Sequence, residues 1–96
     1  MADLPFRKFW LMIHENAADG QKLHISITPR EAKRAKARGL IRPVGYVENP
    51  GKINTYLLTQ HGIEEYRRIF KGSPPFNDPT FDPEVATRGV NLAHLD

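Results

Sequence analysis

Five cationic side chains lie between Thr28 and Leu40, where the chain reads TPREAKRAKARGL. Lysine and arginine at this density can neutralise phosphates and donate hydrogen bonds to phosphate and base oxygens. A similar density is also found on charged faces that only keep a small protein soluble. The segment therefore leaves two alternatives, a nucleic-acid contact and a solvated helix, which charge by itself does not separate.

His61 and Glu64 come nearest to a metal or catalytic pattern. They are spaced i, i+3, but Glu65 holds the position of the second histidine in an H-x-x-E-H motif. Two ligands do not complete a catalytic zinc site, and a chain without cysteine has neither thiolate ligands nor disulfides. The sequence also contains no phosphate-binding loop, no G-x-G-x-x-G turn and no nucleophile elbow. We therefore expect no enzymatic activity, no metal site and no cofactor.

The basic segment has clear helix boundaries. Thr28 and Glu31 have the T-x-x-E spacing of a capping box, Pro29 takes the first helical position and Gly39 supplies the stop. At about 100° per residue, such a helix gathers four cations around the small side chain of Ala37. This cationic face consists of Arg30, Lys33, Arg34 and Arg38. Two further alanines of the helix point the opposite way, where they permit close packing.

The residues before this segment predict a first helix and a strand. Asp3 can cap a helix that has Pro5 in its first turn, and Gly20 can end it. Its apolar stripe consists of Phe6, Phe9, Trp10 and Ile13. Such a stripe indicates core packing or a dimer contact. The segment KLHISI then alternates apolar and polar residues, which is typical of a strand, and its shortness suits an edge strand or a small sheet.

The residues after the basic segment predict a hairpin and a last helix. LIRPVGYV and INTYLLT are strand-like runs, and Pro50-Gly51 between them fits a type II turn. Pro43 marks the first run as an edge or bulged strand, and Tyr56 and Leu58 share an inward face. Thr59 can cap the helix QHGIEEYRRIF. Its predicted core residues are Ile63, Tyr66, Ile69 and Phe70.

The stretch AKRAKARGLIRPVGYVENPGKINTYLLTQHGIEEYRRI resembles the recognition helix, wing and following helix of winged-helix DNA-binding domains. It contains a helix ending in Gly39-Leu40-Ile41, a hairpin, and Leu58-Thr59-x-x-Gly62 leading into a helix. In these features it is similar to the multiple-antibiotic-resistance-regulator type and to other bacterial and phage winged helices. The resemblance implies a small α+β, winged-helix-like domain, a reduced variant with the order α-β-α-β-β-α.

The resemblance also implies a function, a small regulator of transcription that binds duplex DNA. The residues implied in DNA contact are Arg30, Lys33, Arg34, Arg38, Arg42 and Lys52. The first three would enter the major groove or hold its rim, and the next two would meet phosphates. The last, at the hairpin tip, would touch the backbone or the minor groove.

A second interpretation stays open, in which a module of winged-helix shape binds a protein. It could be an adaptor, or a phage or mobile-element inhibitor, acting on a larger nucleoprotein or protein complex. The cationic face or the first helix would then hold the partner, and the first helix could equally serve a homodimer. The acidic tail and the single clear helix ahead of the first strand favour this alternative.

Charge and composition divide the chain in two. Residues 1–71 carry 13 basic and seven acidic residues, whereas residues 72–96 carry one basic and four acidic residues. A basic body attracts nucleic acid, anionic lipid or an acidic protein. We predict a winged-helix-like domain over residues 1–71 and an extended or disordered acidic tail over 72–96. Phe76 and Phe81 can anchor this tail to the body or to a partner, and we expect docking onto the body. The apolar run FWLMI is too short to span a bilayer, so we expect a cytoplasmic protein without membrane contact.

Overall fold

The computed structural model describes residues 4–20, 22–45 and 48–88. Seven elements follow one another: α1 (Phe6–Ala18), β1 (His24–Ile27), α2 (Pro29–Ala37), β2 (Ile41–Pro43), β3 (Asn54–Leu58), α3 (Gln60–Ile69) and α4 (Pro83–Arg88). The protein is thus a small α+β domain, and its order agrees with the predicted α-β-α-β-β-α as far as α3. Within the described ranges, no helix is long and apolar enough to cross a membrane.

The three strands form an antiparallel sheet in the order β1-β3-β2, with β3 in the centre. Ile25 pairs with Tyr56, and Ile41 pairs with Leu58. Because side chains alternate along a strand, Tyr56 and Leu58 share one face, and both are buried there. The predicted inward face and the predicted edge positions of β1 and β2 are confirmed. Tyr46 and Val47, part of the predicted first run of the hairpin, lie outside the described residues.

Helix α2 begins with the capping box that the sequence predicted. The Glu31 amide donates to Thr28 Oγ1 at 3.2 Å, and the Thr28 amide donates to Glu31 Oε1 at 3.0 Å. These reciprocal bonds satisfy two amides that the start of a helix leaves without carbonyl partners. Gly39, at φ 71°, turns the chain out of the helix in the left-handed conformation that suits glycine.

Four residues join the two ends of the β2–β3 hairpin, and we call them the hairpin clamp: Gly39, Leu40, Thr59 and Gly62. The Thr59 amide donates to the Leu40 carbonyl at 2.9 Å, and the Thr59 hydroxyl donates to the Gly39 carbonyl. Thr59 Oγ1 also accepts from the Gly62 amide at 3.0 Å, which caps α3 as predicted. A Cβ on Gly62 would stand 2.0 Å from the Leu40 carbonyl oxygen, so this position has room only for glycine.

The core lies between the inward face of the sheet and helices α1, α2 and α3. Its largest fully buried side chains are Phe9, Ile13, Leu23, Ile25, Tyr56, Leu58 and Tyr66. Helix α2 contributes only Ala32 and Ala35, both buried as the helical face predicted. The prediction that Ile69 packs on the core is wrong, because its side chain is 43% exposed. At 100° per residue it lies about 60° outside the arc spanned by the other apolar residues of α3.

The start of α1 differs from the prediction. The helix begins at Phe6, and Pro5 takes the N-cap position with extended backbone and no side-chain cap. Proline at φ −60° is already suited to the turn into a helix. Asp3, the predicted cap, lies outside the described residues.

The segment after Gly72 also differs from the prediction of an extended or disordered tail. Residues 72–80 form a series of turns, and α4 follows, lying against α3 and β3. The Phe76 ring packs against Tyr66 at 5.1 Å and against Phe81 at 5.3 Å, so the predicted docking of this aromatic pair onto the body is present. The attraction of these rings for the apolar body supplies order that the sequence period of the segment does not indicate. Residues 89–96 lie outside the described residues, and the predicted boundary at Lys71 stays a prediction.

Candidate nucleic-acid interface

All six residues predicted to contact DNA are exposed: Arg30, Lys33, Arg34, Arg38, Arg42 and Lys52. The first four stand on one side of α2, because the buried Ala32 and Ala35 fix the opposite side against the core. Ala37 is exposed among them, which keeps the backbone of the last turn accessible. The cationic face is therefore assembled as the helical period predicted.

Within the described residues, the four cations of this face make no ion pair with a carboxylate. The single acid of α2, Glu31, is occupied by the capping box and stands at the start of the helix. Unpaired surface cations leave a positive potential that falls off over about 10 Å at moderate salt. The face can therefore attract a polyanion without first breaking an internal ion pair.

Phe6 of α1 touches the C-terminal half of the cationic face. The Arg38 guanidinium carbon lies 4.7 Å from the Phe6 ring centroid, and that of Arg34 lies 5.6 Å from it. Both distances are within the range of cation–π attraction. The ring restricts two long side chains that would otherwise sample many rotamers, which lowers the entropy cost of holding them against a ligand.

Lys36 stands on the flank of α2 and is the one cation of that helix engaged in an ion pair within the described residues. Its Nζ lies 2.7 Å and 2.6 Å from the two carboxylate oxygens of Glu48, in the connection between β2 and β3. The buried Tyr56 hydroxyl donates to the same carboxylate at 2.5 Å. The hydrogen bonds from Lys36 and Tyr56 lower the pKa of Glu48, whereas burial raises the pKa of Tyr56. Together these three residues, which we call the wing tie, fix the hairpin to the side of α2.

The hairpin tip is ordered by Asn54, the first residue of β3. Its side chain accepts from the Asn49 amide at 2.9 Å and donates to the carbonyls of Asn49 and Lys52 at 3.1 and 2.8 Å. Gly51 takes φ 75° between them, as the third residue of a type II turn requires. Lys52 is consequently displayed from a defined turn at the end of the hairpin.

The six predicted residues thus occupy three places. Four form the cationic face, Arg42 lies on β2 and Lys52 lies at the tip. Arg42 pairs with Leu57 in the register and so stands on the sheet face opposite the core. The wing tie connects the helix that carries the cationic face to the hairpin that carries the other two places, because Lys36 belongs to α2 and Glu48 to the hairpin connection.

The sequence interpretation missed the residues that organise this surface. The helical period places Phe6 in the apolar stripe, and the spacing of Lys36, Glu48 and Tyr56 does not group them. Their contacts join separate elements, so no short-range pattern announces them. Gly62 did leave a signal, since a glycine inside a helix costs about 1 kcal/mol relative to alanine and indicates a packing requirement.

The residues weighed for metal or catalytic chemistry do not form a ligand set in the structure. Glu65 is engaged by Arg68 at 2.6 Å, and this pair lowers the pKa of the carboxyl. His61 and Glu64 are exposed on the surface of α3. Across residues 4–20, 22–45 and 48–88, no three side chains of His, Asp or Glu are grouped to hold a metal ion.

Comparison with known proteins adds no assignment: no protein-family model, curated protein or solved structure significantly resembles this chain.

Proposed function

We propose that the protein is a small DNA-binding regulator of the winged-helix type, with α2 as its recognition helix and the β2–β3 hairpin as its wing. The observation that carries this proposal is the cationic face, four exposed cations on one side of α2 without a carboxylate partner among the described residues. Solvated helix faces on small proteins usually mix both signs of charge. A face of one sign suits a polyanion.

In this function the six predicted residues contact different parts of the duplex. Arg30, Lys33 and Arg34 enter the major groove or hold its rim, where cationic side chains find phosphate oxygens and the acceptors of guanine. Arg38 and Arg42 bind phosphates, and Lys52 reaches the backbone or the minor groove beside the site. The wing tie keeps helix and hairpin at a constant relative position, so both ends of the surface meet the duplex together.

Two features of the fold favour the winged-helix type. The strand order β1-β3-β2 places a hairpin directly after the basic helix. The hairpin clamp gives the Gly39-Leu40-Ile41 and Leu58-Thr59-x-x-Gly62 motifs a physical role, because Gly62 lets α3 approach the Leu40 carbonyl. Motifs that resemble those of the family are therefore joined to each other in this chain.

The test is fluorescence anisotropy of a labelled duplex across a salt series. Each phosphate that the protein binds releases counterions, so the logarithm of affinity should fall with the logarithm of salt with a slope of about −0.9 per phosphate. Lys33→Ala with Arg34→Ala should weaken binding and flatten the slope by about one for each phosphate that the variant no longer binds. Lys52→Ala should act in the same direction but more weakly.

The matched control is Arg67→Ala with Lys71→Ala, which removes the same charge from exposed positions on the last turn of α3 and just after it. Attraction by net charge alone predicts equal effects for the two double variants. Contact through α2 predicts a larger effect for the α2 pair. Equal slopes for the wild type and the α2 variant would reject the recognition-helix function.

A second candidate function is a protein-binding module of the same shape. It is favoured by the single helix α2 between β1 and β2, where a helix-turn-helix has two. This module, an adaptor or an inhibitor of a larger complex, would bind duplex DNA weakly near physiological salt, with little change in the α2 variant. The same α2 substitutions would instead abolish capture of its protein partner.

A further inference from the structure

A groove runs between α1 and α3 and reaches the end of α2. Its volume is about 300 Å³. The apolar part of the lining includes the half-buried Phe6 and Trp10, together with the exposed Ile69. Arg38, Arg68 and His61 supply the polar rim, together with Glu65. Aromatic rings and cations thus meet in one recess beside the cationic face.

Trp10 is held in a fixed position in this groove. Its indole makes an edge-to-face contact with the Phe9 ring, with the ring centroids 4.9 Å apart. It also lies nearly parallel to the Tyr66 ring, with 15° between the planes and 6.3 Å between the centroids. Phe9 and Tyr66 are themselves buried. A ring restrained in this way loses little freedom when a flat ligand stacks against it.

The charges on the rim favour an anion. Arg38 has no carboxylate partner within the described residues and already lies against the Phe6 ring. Arg68 is paired with Glu65 at 2.6 Å, but both side chains reach solvent, and exposed pairs of this kind are weak. A phosphate can therefore compete with Glu65 for the Arg68 guanidinium, and its two or three oxygens suit that planar donor.

We propose that this groove binds one unpaired nucleotide of a single strand, with the base against Trp10 and Phe6 and its phosphates between Arg38 and Arg68. Binding surfaces for single strands combine cations that follow the backbone with aromatic rings that accept any base. A base within a duplex has both faces covered by its neighbours, so a paired strand cannot use the groove. Arg38 and the Phe6 ring that restrains it are shared with the proposed duplex surface, and the groove does not otherwise depend on that function.

The sole tryptophan of the chain is Trp10, so its fluorescence reports directly on the groove. Titration with a decathymidylate should quench this emission in a saturable way. An equal concentration of a blunt duplex should leave the emission nearly unchanged, even where anisotropy of a labelled duplex shows binding. Thymidine monophosphate and an oligoglutamate of matching charge serve as the other two probes.

Neighbouring arginines on α3 provide a matched pair of variants. Arg68→Ala should weaken decathymidylate binding about tenfold, whereas Arg67→Ala, which removes the same charge outside the groove lining, should have little effect. Glu65→Gln should act in the opposite direction and tighten binding, because it frees Arg68 and removes a negative charge from the rim. A merely structural role for the pair predicts loss, not gain, in the Glu65 variant.

The outcomes separate this inference from the proposed function. Saturable quenching with the stated order of variants supports the groove even if the α2 variant leaves duplex binding unchanged. Absence of quenching, or equal loss in both arginine variants, overturns it. If thymidine monophosphate quenches the emission as strongly as decathymidylate, the groove binds a free nucleotide, and the proposed binding of a single strand is wrong. If oligoglutamate displaces decathymidylate from the groove as well as unlabelled decathymidylate does, the groove binds an acidic peptide, and the proposed contact with a base is wrong.

Discussion

Helices α2 and α3 are similar in length but are held to the core by different side chains. Each begins at a threonine that caps it, and each turns cations to solvent. Helix α3 packs through Ile63 and Tyr66, which are large and buried, whereas α2 packs through two alanines. Burial stabilises roughly in proportion to apolar area. Side-chain burial therefore anchors α3 far more strongly than α2.

The two helices also differ in how they treat charge. Helix α3 carries Glu64 and Glu65 among its cations and pairs Arg68. On α2 the only acid serves the cap, and Lys36 alone is paired among the described residues. Positive charges held close together repel one another and cost stability. Helix α3 is accordingly stabilised by packing, whereas the repulsion between the exposed cations of α2 lowers the stability of that helix.

The strongest test of this contrast is Gly62→Ala. The new Cβ would stand 2.0 Å from the Leu40 carbonyl oxygen, so α3 or the start of β2 must move. We expect a loss of about 3 kcal/mol in the free energy of unfolding, despite the better helix propensity of alanine. Urea denaturation measures it. Gln60→Ala, exposed in the first turn, is the control and should change stability by less than about 0.5 kcal/mol. Equal stabilities for the two variants would contradict the close approach.

Phe76→Ala tests whether the segment after α3 supports that helix. The ring is half-buried against Tyr66 and Phe81, so its removal should cost about 2 kcal/mol, less than for a fully buried aromatic. Thermal or urea unfolding measures the loss. Val85→Ala, at a residue 55% exposed, should have almost no effect. If Phe76→Ala changes stability as little as Val85→Ala, the Phe76 ring does not support α3.

The two caps sharpen the comparison further. Thr28→Ala should cost about 1 kcal/mol, the usual loss for a helix cap. Thr59→Ala should cost about 2 kcal/mol, because its hydroxyl makes two hydrogen bonds, accepting from the Gly62 amide and donating to the Gly39 carbonyl. Denaturant midpoints of both variants give the difference. A larger loss at Thr28 would mean that the helix presenting charge, and not the clamp, is the more tightly held.

Glu48→Gln has the smallest expected effect and tests the wing tie. The pKa of Glu48 is lowered, so its stabilisation is present above about pH 4.5 and is lost as the pH falls through the lower folded pKa. The wild type should be more stable than the variant by less than about 1 kcal/mol at pH 7, and the gap should close in acid. Burial lowers the pKa of His24, so both proteins should also lose stability as the pH falls below 6.5. If the difference in stability between the wild type and Glu48→Gln does not change with pH, the charge of Glu48 does not contribute to stability.

Local signals in the sequence predicted much of the fold. Thr28, Glu31 and Gly39 act within a few residues of one another, and the predicted helix boundaries follow from them. The alternation around Tyr56 and Leu58 likewise identifies the inward side of β3. Features that depend on distant partners were missed or wrong. The helical spacing of the apolar residues in α3 predicts burial of Ile69, but that spacing does not show where the core ends. The order of residues 72–88 depends on an aromatic contact that forms only in the folded chain.

The candidate site was predictable in composition but not in organisation. The helical period groups the four cations, since that grouping needs only the geometry of α2. The positions of Phe6 against Arg34 and Arg38, and of Glu48 against Lys36, need the tertiary fold. Paired and unpaired cations on one helix therefore look alike in the sequence, although a paired cation must first give up its carboxylate before it binds another anion.

The hairpin clamp has a consequence for what the chain can tolerate. Because the Thr59 amide is hydrogen-bonded to the Leu40 carbonyl, the β2–β3 hairpin begins and ends at one point of the fold. Lengthening the exposed turn at Pro50 and Gly51 changes the closure entropy only slowly with length and disturbs no bond of the clamp. This turn is therefore a permissive site for insertion, where a foreign epitope or a longer arm can be grafted while the rest of the chain keeps its architecture.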